Sequence, residues 1–133
     1  MTTLGIKDAF LRYDATLRNV QWSVSAWATD GSLVVSLWDH HTRKGSAGTL
    51  EFADSANRWH GPGNKEFREN VAKAYESSAP VRLVIARTEE IAHVEAGEDA
   101  SKIKKIFSVR QDLVGKVIEW DGSNYAFRFT RQS

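Results

Sequence analysis

The chain has no cysteine, which excludes disulfide staples, thiolate zinc sites and thiol nucleophiles together. A reducing compartment suits such a chain, so a cytoplasmic location is expected. Proline is nearly as scarce: Pro62 and Pro80 stand alone, and they bracket a helical pattern instead of forming a linker. No apolar window approaches a membrane span, and Met1 to Phe10 shows no basic region followed by an apolar stretch. Neither membrane insertion nor a secretory signal is expected. Internal repeats and low-complexity tracts are also missing. The formal net charge is only +1, which gives bulk electrostatics no preference for or against a polyanion.

What is present describes an ordinary globular chain. Its 133 residues, 41% hydrophobic and 26% charged, suit one domain spanning 1–133 with one core. Charge is unevenly placed. Glu89 to Asp99 carries five acids and no Lys or Arg, whereas Ser101 to Ser133 carries seven bases against three acids. Tryptophan is the other surplus, with five residues in a small domain although Trp is seldom fully buried.

Periodicity gives the elements. Ile6, Phe10 and Tyr13 fall at helical spacing and predict a short N-terminal helix. From Asn19 to Thr29 the pattern has period two, putting Val20, Trp22, Val24 and Ala26 inward. Asp30-Gly31 supplies a tight hairpin, and Leu33, Val35 and Leu37 resume the alternation. A third strand over Gly48 to Phe52 completes an expected antiparallel set. Asn64 is positioned to cap the main helix, over 64–77, with Phe67, Val71, Ala74 and Tyr75 as its apolar face, and Pro80 stops it. Val81 to Thr88 reads as a buried strand, Glu89 to Asp99 as an exposed connection. Ile103 to Val109, Val114 to Trp120 and Tyr125 to Thr130 read as three further strands.

The predicted fold class is therefore α+β: a strongly bent antiparallel sheet or small, partly open β-barrel of about six to seven strands, with one main helix and a short N-terminal helix. In this order of elements the chain resembles small, partly open barrels of the PUA-like kind, which include readers of modified bases. The likeness lies in element order and in no motif.

Two constellations suggest binding. Trp27 follows the polar side of its strand and Trp38 faces opposite Leu33, Val35 and Leu37, so the two are expected to share a face, with Trp59 nearby in a glycine-rich turn. Aromatic faces of this kind stack unpaired bases; sealing a second small core is the alternative use. Lys102, Lys104, Arg110 and Arg128 occupy outward positions on the late strands and, with Lys105, Arg82 and Arg87 as contributors, would form a phosphate-contacting strip or, alternatively, a solvated edge that discourages strand pairing.

Chemistry is poorly represented. Gly61-Pro62-Gly63-Asn64 has neither P-loop nor dinucleotide spacing, there is no Gly-x-Ser-x-Gly elbow, and no catalytic residue, cofactor or metal ligand set is assigned. The leading expectation is a non-catalytic recognition module for nucleic acid. A protein-interaction or self-association module, for example from a mobile element or defence system, would use the same Trp surface. A metal-dependent hydrolase or nuclease would need Asp39, His41 and His60 assembled in space, while adjacent His40 and His41 on an extended strand would point to opposite sides.

Overall fold

Gly31, at φ +90°, and the Asp30 carboxylate, which accepts the Ser32 N–H at 2.9 Å, turn the chain between β1 (Ser25–Trp27) and β2 (Leu33–Trp38). The expected hairpin forms there, in antiparallel register Trp27↔Leu33. Its first strand is shorter than the alternation over 19–29 implied. Asn19 accepts the Gln21 N–H on its side chain and the Ser23 N–H on its carbonyl, so residues 20–22 turn instead of extending. The computed structural model describes residues 4–97 and 103–132.

After a 3₁₀ turn at Asp39–His41 come β3 (Thr42–Arg43), β4 (Thr49–Ser55) and a second 3₁₀ turn, Ala56–Arg58. The main helix, α2, runs Pro62–Ser77, preceded by α1 at Ile6–Leu11. Then follow β5 (Val81–Arg87), a short α3 (Ile91–Glu95), β6 (Ile106–Val109), β7 (Leu113–Trp120) and β8 (Asn124–Arg131). The architecture is α+β, with one open, bent, eight-stranded sheet in the order β1-β2-β5-β7-β8-β4-β3, and with β6 also paired to β5.

Pairing differs from the antiparallel set read from the chain. β2 runs parallel to β5 across six residue pairs, from Leu33↔Val81 to Trp38↔Ala86. β4 leaves the hairpin altogether and pairs with β8 and β3. The compositions explain this: Leu33-Val34-Val35 and Leu83-Val84-Ile85 are continuous apolar runs that require cover on both faces. β4 alternates instead, and its Phe52 lies opposite Phe127 at the non-local partner.

Both faces of the β2–β5 pair are covered. Leu33, Val35, Leu83 and Ile85 join Phe67, Val71 and Ala74 of α2 and Phe127 and Phe129 of β8 in the larger core. Val34 and Val84 face the other way, against Ala9, Phe10, Tyr13 and Leu17. Leu33, Val34, Val35 and Val84 are wholly inaccessible, and burial of each such side chain contributes about 1.5–3 kcal/mol.

Other local expectations are refined. Gly61, at φ +114°, caps α2, Pro62 takes its first turn, and Asn64 lies inside the helix, donating to Ala56 O at 2.7 Å. Tyr75 falls at the flank of the apolar stripe and stays 44% exposed. The acidic connection after β5 contains α3, whose Val94 is buried. Among the described residues no helix is long and apolar enough to cross a membrane.

Tyr13 ties α1 to the centre of the sheet: its hydroxyl donates to Leu83 O at 2.7 Å and accepts the Arg110 N–H at 3.2 Å. Tyr13→Phe leaves both backbone groups without that partner, at an expected cost of about 1–3 kcal/mol. A denaturant midpoint unchanged from wild type would contradict this role.

Candidate functional site

β1 covers β2 only as far as the Ser25↔Val35 pair. Beyond it Ser36 still donates its N–H to Val24 O at 2.9 Å, after which the edge of β2 meets a cleft of about 1130 Å³. Trp22, Trp38 and Trp59 all line this cleft, together with the basic residues Lys104, Lys105 and His60. Trp22 comes from the turn at 20–22, Trp38 from the end of β2, and Trp59 from the segment leading into α2.

Gly63 brings the first and third of these together. A Cβ on it would lie 2.2 Å from Trp22 O and 3.8 Å from the Trp59 ring, so only glycine lets the start of α2 press against the 20–22 turn. Trp59 also packs on Phe67, with ring centroids 6.0 Å apart, and Trp38 lies 5.9 Å from the His40 ring.

Trp27 is elsewhere. Its register partner is Leu33, an odd number of residues from Trp38, so Trp27 and Trp38 occupy opposite faces and the shared face expected for them does not form. Trp27 packs against the larger core, donates Nε1–H to Asn70 Oδ1 at 3.0 Å, and carries Lys73 Nζ 5.1 Å from its ring centroid. Trp22, expected inward on a strand, takes its place at the cleft.

The basic residues separate in the same way. Arg82 lies over the Tyr13 ring at 4.9 Å and donates to Gln111 O. Arg110 is held by Asp112 at 3.0 and 3.1 Å. Arg128, on the outer face of β8, bonds Glu51 Oε2 at 2.8 Å, while Arg43 bonds the other oxygen of Glu51 at 2.9 Å. Lys104 is exposed at the cleft, and Lys102 lies outside the described residues. The structure thus brings together Trp38, Trp59 and Lys104 from the expected set, and adds Trp22.

A polar cluster sits behind this cleft. The 3₁₀ turn at Asp39–His41 bends the chain, so His40 and His41 do not diverge as they would on a strand. His41 Nε2 is 3.0 Å from Glu95 Oε1, His40 Nε2 is 3.4 Å from the same oxygen, and His41 Nδ1 is 3.4 Å from Asp54 Oδ2. Arg58 donates to Asp54 Oδ2 at 2.7 Å and to Val94 O at 2.5 Å, and the Tyr125 hydroxyl lies 3.5 Å from Asp54. Burial, followed by the neighbouring His41 charge, lowers the His40 pKa. Burial pushes the Tyr125 phenol up. The expected grouping of Asp39, His41 and His60 is not the one formed: Asp39 pairs with Arg87 at 3.3 Å, and His60 is exposed in the turn before α2. Glu95 was hidden from sequence reasoning because it belongs to an acidic stretch that looked like a solvated loop.

No family model and no curated protein matches the chain. Two solved structures are similar over 99% of it: KRYPTONITE in complex with mCHH DNA, an H3(1-15) peptide and SAH, at 14% identity and TM-score 0.37, and KRYPTONITE in complex with mCHG DNA and SAH, at 15% and 0.35. The chain spans about a quarter (26%) of the length of each. At these TM-scores the likeness carries no argument about activity.

Two outcomes follow from this geometry. Gly63→Ala should cost about 1–3 kcal/mol, because the helix start must withdraw from Trp22; an unchanged melting temperature and near-ultraviolet tryptophan spectrum would count against the contact. Arg128, and then Arg43, hold the Glu51 carboxyl below its usual pKa. The stability this contributes is fully present above the unfolded carboxylate value, about 4.3, and is lost as pH falls through the lower native value. Glu51→Gln should therefore be less stable than wild type at neutral pH, with the gap closing in acid; a gap that widens on acidification would contradict the ion-pair account.

Proposed function

We propose that the chain is a non-catalytic recognition module that binds nucleic acid by stacking an unpaired base in the cleft of Trp22, Trp38 and Trp59, with Lys104 meeting the backbone phosphate. The observation that carries this reading is the convergence of three tryptophans from separate segments on one open cleft with lysine at its border. Indole faces hold bases without demanding a particular sequence, and a nearby lysine supplies the charge a phosphodiester needs. Arg82, Arg110 and Arg128 are engaged by partners away from the cleft, so this reading assigns them no phosphate contact.

Binding of short single-stranded DNA and RNA, measured by anisotropy at about 50 and about 200 mM salt, tests the proposal. Trp38→Ala should weaken binding by about 5- to 150-fold, as expected from about 1–3 kcal/mol per stacked base, while Trp38→Phe retains most of it. Lys104→Ala should reduce the salt slope by about one. Absence of binding at the lower salt would overturn the reading. A partner lost with Trp38→Ala yet indifferent to salt and to Lys104→Ala would point to a protein ligand instead.

A further inference from the structure

We propose that His40, His41 and Glu95 form a binding site for one transition-metal dication of the zinc class, clipping α3 to the turn that ends β2. The site is independent of what the cleft binds.

The argument begins with protons. His41 Nε2 is hydrogen-bonded to Glu95 Oε1 at 3.0 Å, and its other ring nitrogen, Nδ1, lies 3.4 Å from Asp54 Oδ2. A neutral imidazole has one N–H and one lone pair, so it satisfies only one of these neighbours. When the proton is on Nδ1, the Nε2 lone pair faces a carboxylate oxygen, which is repulsive unless a cation to one side is held by both atoms. His40 Nε2 approaches the same oxygen at 3.4 Å and, although buried, makes no hydrogen bond. Three donor atoms thus converge within 4.8 Å of one another on a position that calls for positive charge.

Distance and donor type select the ion. Zinc bonds of about 2.0–2.1 Å in tetrahedral geometry place ligand atoms roughly 3.3 Å apart, close to the 3.0 and 3.4 Å separations here. Two imidazoles with one carboxylate suit zinc, cobalt or nickel, whereas magnesium and calcium prefer oxygen donors. The supporting contacts also fit. Asp54 Oδ2, 3.4 Å from His41 Nδ1, is placed where the carboxylate of a carboxylate–histidine–metal arrangement would sit. Glu95 divides its oxygens, Oε1 to the histidines and Oε2 to Arg58 Nε at 3.5 Å, so the guanidinium orients the carboxylate from its far side. With neutral imidazoles, the carboxylates of Asp54 and Glu95 outweigh the single Arg58 charge, leaving a net negative cluster ready for a dication. The Glu95 side chain is 45% exposed, so water or an external ligand can complete the coordination.

A metal here braces the cleft. Val94 and Gly97, within and just after α3, line the cleft, and α3 itself is only five residues long. The two histidines belong to the turn directly following Trp38, so one ion would link the cleft wall that carries Trp38 to the wall that carries Val94.

The test uses the full chain, stripped with chelator and titrated separately with zinc, cobalt and magnesium chlorides by calorimetry and thermal melting. Zinc should bind with one-to-one stoichiometry and raise the melting temperature, magnesium should do neither, and cobalt should give the visible absorption of a four- or five-coordinate site. Glu95→Gln and His41→Ala should each raise the zinc dissociation constant by more than about tenfold, the scale set by loss of even supporting groups at such sites. His60→Ala should leave it unchanged. Melting each variant in chelator separates loss of binding from loss of folding. The proposal is overturned by absence of saturable zinc binding, which would mean that a proton on His41 satisfies the cluster. It is equally overturned by binding that survives both Glu95→Gln and His41→Ala, or by magnesium matching zinc.

Discussion

The parallel pairing of β2 with β5 is the constraint on which the remaining structure depends. Parallel strands cannot be joined by a tight turn and need a long crossover. The 42 residues between Trp38 and Val81 supply it, and they include β3, β4 and α2. Because both strands are apolar on both faces, the crossover must return a helix over one side while α1 and Tyr13 close the other. That arrangement sends β4 towards the distant edge with β8, and among the described residues the end of β2 has no strand partner on the side where β1 stops. The cleft occupies the uncovered length.

Within this frame the five tryptophans divide by register and by turn chemistry, not by composition. Trp27, Trp59 and Trp120 all pack against the larger core, but of these only Trp59 also lines the cleft. Trp22 reaches the cleft because Asn19 turns the chain, Trp38 because it ends β2 beyond the last residue paired with β1, and Trp59 because Gly61 and Gly63 let α2 begin close beside it. Backbone conformation at three polar or glycine positions thus decides which indoles a ligand can meet.

The parts of the fold that depend on near neighbours were legible in the sequence. Asp30-Gly31 marked the first hairpin, the spacing of Phe67, Val71 and Ala74 marked α2, and the aromatic alternation at Tyr125, Phe127 and Phe129 marked β8, each now found in place. What was not legible was partner choice. Alternation says that Leu50 and Phe52 face a core, but not that the core is built with β8, because register between distant strands is set by total burial and loop closure. The site shows the same division. Trp38 and Trp59 stood out as unexplained by local packing and Lys104 as an outward base, but Trp27 stood out equally and lies elsewhere, and Trp22 was misread through a period-two pattern that Asn19 interrupts. The approach of Glu95 to His40 and His41 joins residues more than fifty positions apart, and no local signal reports it.

The proposed contact surface is the set of indoles that line the cleft, Trp22, Trp38 and Trp59, and not Trp27 or Trp120. Assigned indole N–H resonances of all five tryptophans, followed by NMR as a short single-stranded oligonucleotide is added, test it directly. The account predicts perturbation of Trp22, Trp38 and Trp59, with Trp27, whose N–H is bonded to Asn70, and Trp120 unmoved. Perturbation confined to Trp27 and Trp120, or of none of the five at saturating ligand, would contradict it.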